Sequence, residues 1–129
     1  MLPATLVSHI FLVDDFEPWR RFVRSKLADC NHLRVVGEAT NGSEAVQRVT
    51  ELKPDLILLD INLPDMNGIE VAEQIWQSNP RSRIIFATQN KDREVRRAAL
   101  ATGAAGYLIK EEAERELLPA IESALRDGH

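Results

Sequence analysis

Short apolar runs alternate along this chain with longer segments in which apolar residues recur every three or four positions, the pattern of repeated strand–helix units and a parallel sheet. The runs are Ile10–Val13, Leu33–Ala39, Leu56–Leu59, Ile84–Ala87 and Tyr107–Ile109. Arg34 and Glu38 interrupt the second, which suits an edge strand with one wetter face, whereas the unbroken runs at Ile10 and Leu56 suit central strands covered on both faces. The doubly wound, flavodoxin-like order 2-1-3-4-5 satisfies both readings. The predicted fold is therefore α/β, a five-stranded parallel sheet with five helices.

Each helix is placed by its stripe. In the first, Trp19, Phe22, Val23 and Leu27 share a face, with Pro18 admissible in the opening turn. In the second, Asn41 caps while Glu44 reaches back, and Ala45, Val46, Val49 and Leu52 face the sheet until Pro54 ends the helix. The third follows Gly68, buries Ile69, Ala72, Ile75 and Trp76, and stops near Asn79-Pro80. The fourth, from about Asp92, offers only Val95, Ala98, Ala99 and Thr102 inward. Such small side chains bury little area, so it is expected to be the most loosely held of the five. The last, from near Ala113, turns Leu117, Ile121 and Ala124 inward but carries Pro119 past its first turn, which predicts a kink or a frayed start.

Four of the strand-like runs end on polar residues able to handle a phosphoryl group: Asp14 and Asp15 after the first, Asp60 after the third, Thr88 after the fourth and Lys110 after the fifth. In a parallel sheet all these ends open on one edge, where open α/β sheets bind ligands. Three carboxylates crowded there repel one another, and a hard divalent cation relieves the repulsion. Mg2+ suits the site, being an oxygen-seeking ion held by one or two carboxylates plus a phosphate, and it keeps Asp14, Asp15 and Asp60 ionised. Lys110 adds a second positive charge. Taken singly, each residue has a plainer reading: the Asp pair and Thr88 as helix caps, Asp60 as a turn residue before Pro64, Lys110 as a solvated strand end. Independent caps have no reason to gather on one sheet edge, which favours the joint reading.

Composition narrows the partners. With 16 basic and 20 acidic residues among 129, the net charge is −4 and no basic block exists, so a nucleic-acid surface is not expected in this chain. The length suits one domain, with a core from about residue 9 to 127. Cys30 stands alone and reads as a small, half-buried side chain near the end of the first helix. His9, His32 and His129 are scattered without metal-ligand spacing, and Trp19 and Trp76 read as core or helix-flank residues. Met1–Ser8 does not read as a signal peptide, and no run approaches membrane-spanning length, so a cytoplasmic chain is expected.

The Asp14-Asp15 pair, Asp60, the segment Asn62-Leu63-Pro64-Asp65-Met66-Asn67-Gly68, Thr88 and Lys110, in that order, resemble the receiver domains of two-component response regulators. The likeness runs from about His9 to the last helix. Gly37-Glu38-Ala39-Thr40-Asn41-Gly42 and Gly103-Ala104-Ala105-Gly106-Tyr107-Leu108 are similar to the LuxR-type subfamily, which usually carries a C-terminal helix-turn-helix DNA-binding domain.

The resemblance implies that Asp60 is phosphorylated from a phosphohistidine on a sensor histidine kinase, or from a small acyl phosphate. Asp15, Asp60 and the backbone carbonyl of Asn62 match the Mg2+ ligands, and Asp14 matches a residue acting through water. Lys110 and Thr88 match the groups that hold phosphoryl oxygens. Tyr107 matches an aromatic that turns inward as the threonine moves, altering the face of the fourth helix, fifth strand and fifth helix, through which a homodimer is expected. A half-buried tyrosine with its hydroxyl in water is the equal alternative.

Two positions depart from the pattern. Gln89-Asn90 follows Thr88 where a small residue is usual, which narrows access for the phosphodonor, and Glu111 replaces a proline after Lys110, which calls for a trans bond or a strained cis one. Two other functions stand beside the phosphoacceptor reading. One is a pseudo-receiver, a phosphorylation-independent interaction module, with Gln89 as its support. The other is an aspartyl phosphatase resembling the haloacid dehalogenases, which want an aspartate where Asn62 stands. No output domain lies within 1–129, and the chain reads equally as a receiver cut from a longer regulator or as a stand-alone one.

Overall fold

The computed structural model describes residues 6–127; Gly128, His129 and the start of the Met1–Ser8 segment lie outside them. Five strands and five helices alternate: β1 (Ser8–Val13), α1 (Glu17–Ala28), β2 (Leu33–Ala39), α2 (Gly42–Leu52), β3 (Leu56–Leu59), α3 (Gly68–Ser78), β4 (Arg83–Thr88), α4 (Arg93–Ala101), β5 (Gly106–Ile109) and α5 (Ala113–Asp127), with a 3-10 turn at Lys110–Glu112 leading into α5. The strands form one parallel sheet in the order β2-β1-β3-β4-β5, as the run pattern predicts.

Because side chains alternate along a strand, the sheet feeds two cores. Ile10, Leu12, Leu56, Leu58, Ile85 and Ala87 meet α1 and α5 on one face, while Phe11, Val13, Ile57, Leu59, Ile84 and Phe86 meet α2, α3 and α4 on the other. All four side chains of β3 are buried, each contributing about 1.5–3 kcal/mol of transfer free energy. The sheet edge that carries the polar residues is thus built around a fully buried strand.

The helix faces depart from the stripes in instructive places. On α1, Trp19, Val23 and Leu27 are buried, and so is Arg20. On α2, Asn41 caps through Glu44 N and the Glu44 carboxylate reaches back to Thr40 N. Leu52 is exposed, not inward: it ends the helix beside the edge strand, and only its tip lies over Gly37. On α3, Val71 joins Ala72 and Ile75 in the core, while Ile69 and Trp76 are half-buried beside it. On α4 only Ala99 is buried and Ala98 faces outward, which leaves this helix with even less core than expected. Leu117, Ile121 and Ala124 of α5 are buried as predicted. The helix runs unbroken through Pro119, so the opening turn is formed in spite of the donor that proline removes from the Arg115 carbonyl.

Candidate functional site

The strand register explains why the polar residues converge. Val13 pairs with Leu59, Leu59 with Phe86, and Thr88 with Ile109, so β1, β3, β4 and β5 terminate side by side. Beyond the ends, Asp15, Asp60, Asn62, Thr88, Gln89 and Lys110 line one cavity of about 270 Å3, with Phe16 at its rim. Asp14, Asp15 and Asp60 each place a carboxylate oxygen within 4.8 Å of the others.

Lys110 is not a solvated strand end. Its Nζ lies 2.6 Å from Asp14 Oδ2 and 3.3 Å from Asp60 Oδ2, and its side chain is 10% exposed. The ammonium also sits 5.3 Å from the centre of the Trp19 ring, whose face favours a cation. Asp14, at 1% exposure, is the deepest of the acids. Burial raises its carboxyl above the ordinary value, and Lys110 and the Phe16 N–H pull it back only in part. Asp14 Oδ1 accepts from Phe16 N at 2.9 Å, whereas Oδ2 is buried and has no donor aligned for a hydrogen bond, the Lys110 contact being an ion pair by distance alone.

The raised value means that an ionised Asp14 is held in the native state at a cost. Asp14→Asn is therefore expected to raise the melting temperature by a few degrees near neutral pH. The gain disappears as pH falls below the carboxylate range, where Asp14 is protonated in any case; thermal scans at neutral pH and near pH 3 measure both limits.

Asp60 Oδ1 accepts from Asn62 N at 3.3 Å. Thr88, wholly buried, accepts from Asn90 N at 3.2 Å; it does not cap α4, since Asp92 does that by accepting from Glu94 N and Val95 N. Tyr107 lies away from the acidic cavity. It is half-buried, its hydroxyl donates to the Asn90 carbonyl at 2.9 Å, and the Arg96 guanidinium lies 5.8 Å from its ring centre. Burial raises the Tyr107 hydroxyl, so it stays protonated and keeps donating. The Lys110–Glu111 bond is trans, and Glu111 pairs instead with Lys91 at 3.0 Å.

Three residues whose part in the site the sequence reading did not foresee hold its loops. Asp65 reaches across to α2, accepting from Gly42 N at 2.7 Å and Ser43 N at 3.0 Å, and these two bonds hold its carboxyl below the usual range. Arg20 donates to the Asp14 carbonyl at 2.6 Å. Glu38, which in the sequence marks β2 as an edge strand and forms part of the Gly37–Gly42 segment, is an anchor for Arg20. A wider cavity of about 760 Å3 opens at the opposite end of the sheet, among Lys53, Asp55, Asn79, Arg81 and Arg83. There α2 and α3 end, and basic side chains offset the negative ends of helices.

The donors at the carboxyl edge are all oxygens, they exceed the local positive charge by two, and one of them is buried without an aligned donor; that set fits a hard divalent cation. A doubly wound parallel sheet whose carboxyl edge gathers three acids, a hydroxyl and an ammonium is the architecture of a phosphoryl-handling signalling domain. The chain belongs to the response regulator receiver domain family, whose model matches residues 10–122.

Among its relatives, the nitrate/nitrite response regulator protein NarL of Escherichia coli strain K12 is 38% identical over 123 residues, covering 95% of this chain and 55% of NarL. Response regulator protein VraR of Staphylococcus aureus is 36% identical over 118 residues, covering 91% and 56%. A LuxR-family two-component response regulator from Aurantimonas sp. SI85-9A1 superposes with a TM-score of 0.88 at 32% identity, covering 93% of this chain and 86% of that one. The response regulator domain of Thermotoga maritima CheB gives 0.85 at 30%, covering 93% and 97%. This chain thus spans little more than half the length of the curated relatives it matches. No helix among the described residues is long and apolar enough to cross a membrane.

Proposed function

We propose that this chain is the phosphoacceptor of a two-component pathway and that Asp60 is its acceptor residue. The observation that carries this reading is the Asp14–Lys110–Asp60 contact, which joins two buried acids through one largely buried ammonium, Asp60 and Lys110 lining a cavity shared with Thr88. An Asp60 oxygen attacks phosphorus and forms an acyl phosphate. The bond from phosphorus to the donor's imidazole nitrogen or acyl oxygen breaks, and its electron pair leaves with the donor. Water later cleaves the acyl phosphate and restores Asp60. The chain handles no phosphoryl group but its own.

Asp15, Asp60 and the Asn62 carbonyl would hold Mg2+, with Asp14 contributing through water. Such an ion supplies charge neutralisation for the entering phosphoryl group. Lys110 offers the ammonium for a second phosphoryl oxygen, and the Thr88 hydroxyl, which accepts from Asn90 N, has its own proton to donate to a third and would draw away from Asn90 N in turning toward it. Gln89 lines the same cavity and limits how closely a donor approaches.

Release of Asn90 N by Thr88 would reach Tyr107, because the Tyr107 hydroxyl holds the carbonyl of the same Asn90. The affected surface is the α4–β5–α5 face. There α4 exposes Arg93, Arg96 and Arg97 while the turn before α5 exposes Glu112 and the first turn of α5 exposes Glu116, opposite charges that could pair across a two-fold axis. A sensor histidine kinase as donor, a homodimer through this face and a DNA-binding output domain outside this chain complete the reading. Binding beryllofluoride with Mg2+ is expected to shift the amide resonances of Asn90 and Tyr107 together with those of Asp60 and Lys110. Shifts confined to the cavity would overturn the switch.

A further inference from the structure

Arg20 lies on α1, outside the acidic cavity, and is buried. Its three donor nitrogens go to three different elements: Nε to Glu38 Oε1 on β2 at 2.8 Å, Nη2 to Glu17 Oε2 on α1 at 2.5 Å, and Nη1 to the backbone carbonyl of Asp14 at 2.6 Å. Arg24 closes a ring with the same two acids, at 2.6 Å to Glu38 and 2.8 Å to Glu17. Arg48 in turn holds the Glu38 carbonyl at 2.7 Å. An ion ring of this kind would by itself be read as a fastener between α1 and β2. Arg24 already joins the same two carboxylates, however, and the donor that distinguishes Arg20 is the one spent on Asp14.

That carbonyl belongs to the turn carrying both members of the acidic pair. The turn is gripped from the other side as well, since Asp14 N donates to Ala39 O at 3.0 Å. We infer that Arg20 is a positioning residue for the acidic cluster: it sets the cluster's affinity for a divalent cation by fixing the backbone between β1 and α1, without touching the cation. This inference rests on the cation reading given above. Groups that orient metal ligands from behind typically change affinity by 10–100-fold when removed.

The sign of the effect separates positioning from plain electrostatics. The ring holds two positive and two negative side chains, so Arg20→Gln leaves an excess negative charge near the site, and Coulomb attraction alone would then tighten cation binding. Positioning predicts the reverse. Arg24→Gln makes the same charge change and opens the same ring, yet leaves the Asp14 carbonyl bonded.

Calorimetric titration of the full chain with MgCl2 is expected to show Arg20→Gln weakening Mg2+ binding by about tenfold, with Arg24→Gln unchanged or slightly tighter. Arg20→Lys keeps the charge but has no fork to serve three acceptors, so it is expected to weaken binding several-fold too, and it serves as the test should Arg20→Gln fail to fold. Amide exchange at Asp15 and Phe16 is expected to quicken in both Arg20 variants and not in Arg24→Gln. Equal affinity changes in Arg20→Gln and Arg24→Gln, or tighter binding in both, would overturn the inference. A wild-type chain that takes up no Mg2+ overturns the cation reading itself, and this inference with it.

Discussion

Lys110→Ala is expected to destabilise the fold by about 2 kcal/mol at neutral pH, below the roughly 3–5 kcal/mol that breaking a buried pair costs because Asp14 has protonation as an escape. The substitution leaves Asp14, at 1% exposure, beside Asp60 with no cation between them. Lys110 pulls the Asp14 carboxyl downward while burial and Asp60 push it upward. Without the ammonium, the native carboxyl rises further above its ordinary value of 3.8. A native pKa above the unfolded one means that the native state binds the extra proton, so stability increases as pH falls through the native value and the penalty is complete above it. The deficit of Lys110→Ala relative to wild type should therefore shrink as pH falls toward 3.8. Urea denaturation across pH 3–8 measures this, and a deficit independent of pH would contradict it. Phosphoryl uptake by the variant is expected to fall by about 100-fold, the loss usual for a preorganised charge-stabilising group.

Gly68→Ala is the second large effect, and it comes from backbone crowding instead of charge. A Cβ on Gly68 would lie 2.2 Å from the carbonyl oxygen of Asp60 and 2.6 Å from Ile61 Cα. Those are main-chain atoms at the end of the fully buried β3, and Gly68 N is itself bonded to Ile61 O at 2.7 Å, so neither side can give way cheaply. A loss of about 3 kcal/mol is expected, at the upper end of overpacking costs, together with displacement of Asp60 and loss of phosphoryl uptake. Gly42→Ala is the matched control. Its Cβ would meet the flexible Met66 side chain at 2.4 Å and the buried Val71 Cγ2 at 2.8 Å but no main-chain atom, and alanine favours the first turn of α2, so a smaller loss of about 1–2 kcal/mol is expected. Equal losses in the two variants would show that the Asp60 backbone is not the constraint.

The sheet and most of the candidate site were legible because the candidate residues follow apolar runs. Asp14, Asp15, Asp60, Thr88 and Lys110 needed only the inference that parallel strands end together, and the register bears that out. What periodicity misjudged lies on helix margins. Leu52 closes α2 at the sheet's edge, and Ala98 fits the period of α4 although that helix meets the sheet through Ala99 alone among its buried residues.

The supports of the site were hidden for a different reason. Asp65 caps α2 from 23 residues downstream in sequence, Arg20 reaches Glu38 from 18 residues upstream, and Tyr107 reaches Asn90 from 17 residues downstream. Long-range pairs of polar residues leave no period in a sequence. Only Arg20, spaced three residues from Glu17 on one helix, offered a local sign, and that sign reads as an ordinary surface pair.

The most direct test of the central claim is intact mass after incubation with acetyl phosphate, with and without Mg2+, on this chain and on Asp60→Asn. The account predicts one added phosphoryl group that requires Mg2+ and is absent from the variant. No gain in the wild-type chain, or an equal gain in Asp60→Asn, would contradict it.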